Sequence, residues 1–167
     1  NLVTKPSTTK TYTWNFDVLK FGNNDKTKVL KGAKFVVLSQ DQQKVAKFEN
    51  DKMTGWVTAP TGDPVTWPQG TVLTTNDQGK IDVDGLDSGT YRLREVKAPD
   101  GYNKLKGDKE FTISREMNDT DSSMSYKKLT VEVENLSGTI LPSTGGMGTT
   151  IFYVLGGILA VGAAVLL

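Results

Sequence analysis

An all-β domain, built as a sandwich or a barrel and followed by an apolar C-terminal helix, is the fold class this sequence predicts. Three observations carry it. From Tyr12 to Leu136 the apolar residues come in short alternating or continuous runs separated by Gly, Pro, Asn and Asp, the spacing of strands and turns. No segment of that region keeps an apolar period of helical length. After Ser137 the composition changes abruptly, and the chain ends in Ile151 to Leu167 without a single charge.

Taken in order, residues 1–11 are rich in Thr, Lys, Ser and Pro and read as a linker, so the folded domain is expected over 12–137. Strands are expected at Tyr12 to Phe21, Ala33 to Ser39, Val45 to Glu49, Gly55 to Thr58, Thr71 to Thr74, Lys80 to Val83, Thr90 to Val96, Glu110 to Ser114 and Lys127 to Glu134. Turn chemistry separates them at Asn23-Asn24-Asp25, Asn76-Asp77-Gln78-Gly79, Asp84-Gly85 and Asp100-Gly101. The stretch Ala59 to Gly70, with three prolines and Trp67, reads as an ordered loop.

Composition excludes several kinds of chemistry. Among 167 residues there is no cysteine and no histidine, so thiol nucleophiles, disulfides, histidine bases and Cys/His zinc sites are ruled out. Twenty basic residues against nineteen acidic ones leave a net charge of +1, with no basic run or stripe, and nucleic acid is not an expected partner. No metal or other cofactor is expected. Asp82-Val83-Asp84-Gly85 has a faint calcium-loop flavour but lacks the spacing and the closing bidentate Glu, which favours a turn. Trp56 and Trp67 could serve a ligand surface, although packing in core or loop is the commoner fate of such residues. The chain begins at Asn1 with no signal segment before the domain, and is read as a fragment of a longer precursor.

The tail is the most specific signal. Roughly 17 uncharged residues at ~1.5 Å each reach about 25 Å, near the lower limit for a bilayer span, so residues 151–167 are expected to cross a membrane; a buried core helix is the alternative. Just before it stand Leu141, Pro142, Ser143, Thr144 and Gly145, within a segment 138–150 that reads as signal and spacer. Pro142 blocks helix formation and favours an extended backbone, the form in which a protease-like groove takes a peptide. Together these residues are similar to the Leu-Pro-x-Thr-Gly sorting signal of proteins processed by sortases. The resemblance implies cleavage between Thr144 and Gly145, transfer of Thr144 to an amine, and loss of the membrane segment on processing. It also implies a few basic residues after the apolar span, which are not found before the sequence stops at Leu167; that end is read as a truncation.

Side-chain alternation marks a second constellation. Residues two apart in a strand share a face. Trp14, Phe16, Val18 and Lys20 are in phase, as are Tyr91, Leu93 and Glu95, and Leu129, Val131, Val133 and Asn135. Three apolar faces thus each end in a polar residue. A buried ammonium or carboxylate costs several kcal/mol unless it is paired or neutral, so mutual partnership is the economical reading. For any one of the three alone, a place at a strand end is the simpler account; the coincidence of three favours a shared interior site.

The segment Tyr91-Arg92-Leu93-Arg94-Glu95, continuing to Ala98-Pro99-Asp100-Gly101-Tyr102, resembles the E-box of the Cna protein B-type (CnaB) domains of Gram-positive pilins. The opening strand ending in Lys20, the segment Leu30-Lys31-Gly32-Ala33-Lys34-Phe35 and the closing Val131-Glu132-Val133-Glu134-Asn135 match the same family. The resemblance implies an immunoglobulin-like β-sandwich with an intramolecular isopeptide bond between Lys20 and Asn135, formed once per molecule with the help of Glu95. Burial would favour the neutral amine of Lys20, and Glu95 would hydrogen-bond the Asn135 amide, polarise its carbonyl and relay protons. The middle region from Gln40 to Gly70 is longer than in smaller members.

The function implied is structural: a subunit of a covalently polymerised surface pilus, anchored to the cell wall, with sortase, neighbouring subunits and peptidoglycan as partners and the membrane only before processing. In the resembling pilins the acceptor lysine lies in a Tyr-Pro-Lys-Asn motif, which Asn1 could close from just inside this sequence. The alternative is a wall-anchored adhesin in which this domain is a stalk and a host extracellular-matrix ligand is bound upstream. A conventional enzyme has no support, since no convergent polar pocket is visible in the sequence.

Overall fold

The computed structural model describes residues 14–114 and 129–138. Ten strands make up its regular structure: β1 (Trp14–Gly22), β2 (Asp25–Val29), β3 (Lys34–Ser39), β4 (Lys44–Glu49), β5 (Lys52–Thr58), β6 (Leu73–Thr74), β7 (Lys80–Leu86), β8 (Gly89–Lys97), β9 (Lys109–Ile113) and β10 (Leu129–Asn135). No helix occurs among the described residues. The expected linker at 1–11, the segment 139–150 with the pentapeptide, and the apolar run 151–167 lie outside them.

The strands form two layers. One runs β10-β1-β7, with β2 folded onto β1; the other runs β9-β8-β3-β4-β5, with β6 on β3. A single parallel bridge, Lys52 to Asp84, joins the layers between β5 and β7. Between them lies the main core, which includes Phe16, Val18, Phe35, Val37, Leu93, Phe111, Val131 and Val133. Phe16 of one layer and Phe111 of the other stack with ring centroids 4.8 Å apart. The first and last strands are neighbours and run parallel, with Lys20 opposite Val133 and Gly22 opposite Asn135.

β3 is buried on both faces. Its Val36 and Leu38, with Val45, form a second small core on the outer side of the sheet, covered by Val57, Ala59, Trp67 and Val72. The ordered loop expected from Ala59 to Gly70 therefore brings Trp67 to a sheet face that would otherwise be wet, which is why Lys34–Ser39 reads as a nearly continuous apolar run. Trp56 packs against the main core, its ring stacked on Tyr91 at 5.8 Å.

Two sequence expectations are corrected here. The segment after Asn23-Asn24 is a strand, β2, although all five of its residues are exposed and it shows no apolar alternation. It forms because Asn23 and Asn24 both take left-handed φ, 52° and 57°, turning β1 back on itself between Gly22 and Asp25, as in a two-residue hairpin turn. Asp84-Gly85, expected to be a turn, lies inside β7. Gly85 has φ 100° and sits beside Met53; between the pairs Phe16–Val83 and Trp14–Leu86 the strand β7 carries one more residue than β1, so the glycine serves a bulge and the ladder continues past it. The turns at Asn76 to Gly79 and at Asp100-Gly101 stand as expected, the first closed by Asn76 Oδ1 accepting from the amides of Gln78 and Lys80, both at 3.0 Å.

Candidate functional site

Lys20 is the last inward residue of β1. Its main chain is fixed on both sides: the amide donates to Gly79 O at 2.8 Å and the carbonyl accepts from Leu30 N at 2.9 Å. Leu30 is tied in turn to the buried Thr75, whose hydroxyl donates to Leu30 O at 2.8 Å and accepts from Ala33 N at 3.0 Å. The Lys20 side chain has no exposed surface, and its Nζ donates to the carbonyls of Phe21 at 3.2 Å and Val133 at 3.1 Å. Burial lowers its pKa from the ordinary 10.5 to about 8, against the opposing pull of the Glu95 and Glu134 charges.

Glu95 reaches the same interior from the opposite layer. It stands on β8 across from Phe35 and is 1% exposed. Its Oε2 accepts from Leu105 N at 2.8 Å. Asn135, the final residue of β10, is also 1% exposed, and its Nδ2 donates to Glu95 Oε1 at 3.0 Å, to Glu95 Oε2 at 2.9 Å and to the main-chain carbonyl of Asn103 at 2.7 Å. Because the Asn103 carbonyl can only accept, it sets the orientation of the amide, nitrogen toward Glu95 and oxygen away. Asn135 Oδ1 is buried without a hydrogen-bond partner. Glu95 thus meets the amide at its nitrogen, not at the carbonyl that the sequence reading had it polarise.

The groups that complete the site come from the segment Pro99 to Leu105, which crosses the end of β10 like a strap. Tyr102 N donates to Pro99 O at 3.1 Å, Asn103 N donates to Leu136 O at 2.9 Å, and Tyr102 pairs with Ser137 in an isolated bridge. Ser137 is held from below by Asn23, through Ser137 N to Asn23 Oδ1 at 2.9 Å and Asn23 Nδ2 to Ser137 Oγ at 2.7 Å. The Asn103 carbonyl and the Leu105 amide were not legible in the sequence, because main-chain groups leave no residue-type signature; the Asp100-Gly101 turn was the one sign that the chain reverses here. Behind Glu95 a cavity of about 410 Å³ opens between Gln42, Arg94, Lys104, Lys106 and Asp108. Arg94 braces its wall through a bidentate pair with Asp108, at 2.7 and 2.9 Å.

Chemically, the arrangement buries an amine of lowered basicity, and an amide hydrogen-bonded to a carboxyl group, on three strands that are far apart in the sequence. Leu141, Pro142, Ser143, Thr144 and Gly145 lie outside the described residues.

Comparison with known proteins agrees with this fold. Residues 15–128 match the SpaA family, described as a prealbumin-like fold domain. Among solved structures, the chain is 31% identical to a group B streptococcus pilus 2b backbone protein, with a TM-score of 0.56, over 78% of this chain and 43% of that one. A minor pilin of Streptococcus agalactiae matches at 24% identity and a TM-score of 0.56, covering 81% of this chain and 48% of that one. The shaft pilin SpaA of Lactobacillus rhamnosus GG shares the fold at 21% identity and a TM-score of 0.53, over 80% and 50% of the two chains. This chain therefore spans half or less of the length of these structures. No curated protein sequence matches it. The family match, over about two thirds of the residues, establishes that this chain belongs to the SpaA family of prealbumin-like fold domains, a fold it shares with solved Gram-positive pilin subunits.

Proposed function

We propose that this chain is a structural subunit of a covalently polymerised pilus on a Gram-positive cell surface, hardened by an isopeptide bond between Lys20 and Asn135 and joined through Thr144, by a sortase, to a lysine of the next subunit. The observation that supports the first part is the burial of all three residues, with both Glu95 oxygens on the Asn135 amide and the Lys20 amine on the carbonyl of Val133, two residues before Asn135. The pilus backbone protein to which the chain is 31% identical supports the second, together with the pentapeptide Leu141, Pro142, Ser143, Thr144 and Gly145 ahead of an uncharged C-terminus.

The geometry suits a single transamidation. A neutral –NH₂ has two hydrogens, and the carbonyls of Phe21 and Val133 accept two from Lys20 Nζ, which leaves a lone pair for attack. Nζ bonds to Asn135 Cγ, the Cγ–Nδ2 bond breaks, and Nδ2 departs as ammonia carrying a proton that came from Nζ. Glu95, hydrogen-bonded to Nδ2 by both oxygens, is the group that passes that proton to the leaving nitrogen. The reaction needs no cofactor and happens once, so the chain modifies itself without turnover. Tension entering β1 at Lys20 would then pass to Asn135 and onward to Thr144, leaving the strands between them nearly unloaded.

Intact-mass measurement of the whole chain in mild detergent tests the bond: a deficit of one ammonia is expected, and a full-length mass would reject it. Blotting of cell-wall extracts tests the polymer, since a pilus subunit yields a ladder of high-mass species and an anchored monomer yields one.

A further inference from the structure

The cavity of about 410 Å³ lies between Gln42, in the turn from β3 to β4, and the segment Lys104 to Asp108 that leads into β9. Arg94 lines it, pointing away from the main core because it alternates with the inward Leu93 and Glu95. Its guanidinium is fixed on one edge: Nε and Nη2 donate to the two oxygens of Asp108 at 2.7 and 2.9 Å, and Nη2 donates also to Gln42 Oε1 at 2.7 Å. Nη1 has no hydrogen-bond partner among the described residues, and the side chain stays 37% exposed. Lys104 and Lys106 line the same cavity from exposed positions, and neither has an ion pair among the described residues. Glu95 also borders it, but its carboxyl group is turned inward to Asn135 and the Leu105 amide. We propose that this cavity binds a dianionic oxyanion, of the class of a phosphate monoester, with Arg94 Nη1 and the ammonium groups of Lys104 and Lys106 as donors.

The charge count selects the ligand. Three cations face one exposed carboxylate, that of Asp108, which is already engaged by Arg94; two positive charges are left over. A dianion neutralises them, a monocarboxylate leaves one, and an apolar guest would strip water from ammonium groups without replacing it. A guanidinium braced by Asp108 and Gln42 presents its free N–H groups in a fixed plane, so little side-chain freedom is lost when an oxygen arrives, and the two lysines add mobile point charges. At the end of the same strand Lys97 stands directly opposite Lys34, two like charges that also lack an ion pair among the described residues, and their field adds to the positive potential at this end of β8. The grouping does not show as a basic run in the sequence, because the return of the chain toward β9 is what brings Lys104 and Lys106 beside Arg94. This site is independent of the cross-link between Lys20 and Asn135 and stands or falls without it.

Titration of the isotope-labelled whole chain in mild detergent, at low ionic strength and neutral pH, tests the site. The probes are inorganic phosphate, glycerol 2-phosphate, a polyphosphate chain and acetate. Phosphate and glycerol phosphate should give saturable shifts centred on the amides of Leu105 to Asp108 and on Arg94 Nε–H, weakening as salt is added. Acetate should bind at least about tenfold more weakly, and the paired substitution Lys104→Ala with Lys106→Ala should weaken phosphate binding by about tenfold or more. Both lysines are exposed, so the melting temperature of that variant should match the parent and the loss cannot be put down to misfolding. Arg94→Lys should also weaken binding, since it keeps the charge and removes the fork. Tighter binding of polyphosphate per phosphate group would assign the site to a phosphate polymer; equal binding would assign it to a free monoester. Shifts that spread without saturation over lysines elsewhere on the surface would overturn the proposal, as would a double variant that binds phosphate like the parent, or acetate bound as tightly as phosphate.

Discussion

The ring of Tyr102 lies so close over Gly22 that a Cβ on Gly22 would stand 2.7 Å from Tyr102 Cε1 and 2.9 Å from its hydroxyl. Gly22 is the partner of Asn135 in the β1–β10 ladder, so this contact fastens the Pro99 to Leu105 strap to the strand end beside Asn135. Gly22→Ala should force the ring aside, cost about 1–3 kcal/mol as overpacking does, and slow bond formation by displacing the Asn103 carbonyl. Thermal melts and a mass time course during folding would check both effects.

Gly79 holds the other end of the site. Its φ is +68°, and a Cβ there would lie 2.6 Å from Lys20 O and 2.9 Å from Leu30 N, the same main-chain groups that position Lys20. Gly79→Ala is expected to cost about 1–3 kcal/mol from backbone strain alone and to leave a measurable fraction of chains unjoined. Intact mass after complete folding reads that fraction.

Glu95→Gln keeps the shape of the side chain and removes the proton relay proposed for it. The expected mass is that of the unmodified chain. With it would go the proposed closure between Lys20 and Asn135, which by the loop-entropy argument used for disulfides would be worth on the order of 5 kcal/mol. A lower melting temperature and faster proteolysis should accompany the mass change; a variant that still loses ammonia would remove Glu95 from the mechanism.

Lys20 sets the pH dependence. With its pKa lowered to about 8, roughly a tenth of the amine is neutral at pH 7, several hundred times the fraction of an ordinary lysine. Bond formation in a chain refolded from a never-joined, denatured state should therefore accelerate about tenfold per pH unit up to about pH 8 and then level off. In Asn135→Ala, which stays unjoined, the unfolded chain binds more protons than the folded one between about pH 8 and 10.5. Stability should rise with pH across that window, and the burial penalty should be complete below it. Denaturant titrations at several pH values would show the slope.

Charge pairs on the surface should matter far less. Lys26 and Glu132 join β2 to β10 at 2.7 Å with both side chains about half exposed, 59% and 47%. Lys26→Ala should change stability by less than ~1 kcal/mol and leave the mass untouched. A chain that stayed unjoined after this substitution would mean that β2 has a part in assembling the site.

Most strands of the fold were legible because their apolar residues alternate or run together where one or both faces are buried, as in Tyr91, Leu93 and Glu95 or in Phe35 to Leu38. β2 was not, since an exposed strand needs no apolar pattern and exists only because a left-handed Asn pair returns the chain onto β1. Asp84-Gly85 misled for a related reason: a glycine with positive φ marks a bulge as readily as a turn, and only the neighbouring strand decides which.

By itself the sequence determined that a Lys, a Glu and an Asn would each sit at the inward phase of a strand, because alternation is a local property of an extended chain. It also set the kinds of chemistry open to them, there being no Cys or His. What the tertiary structure alone decided is which atoms meet. The parallel pairing of the first and last strands places Lys20 opposite Val133 and Gly22 opposite Asn135, and the strap supplies a main-chain carbonyl that turns the amide nitrogen toward Glu95. Strand order and main-chain hydrogen bonds depend on contacts more than a hundred residues apart along the chain, or on groups every residue carries alike, and neither leaves a local trace in residue type.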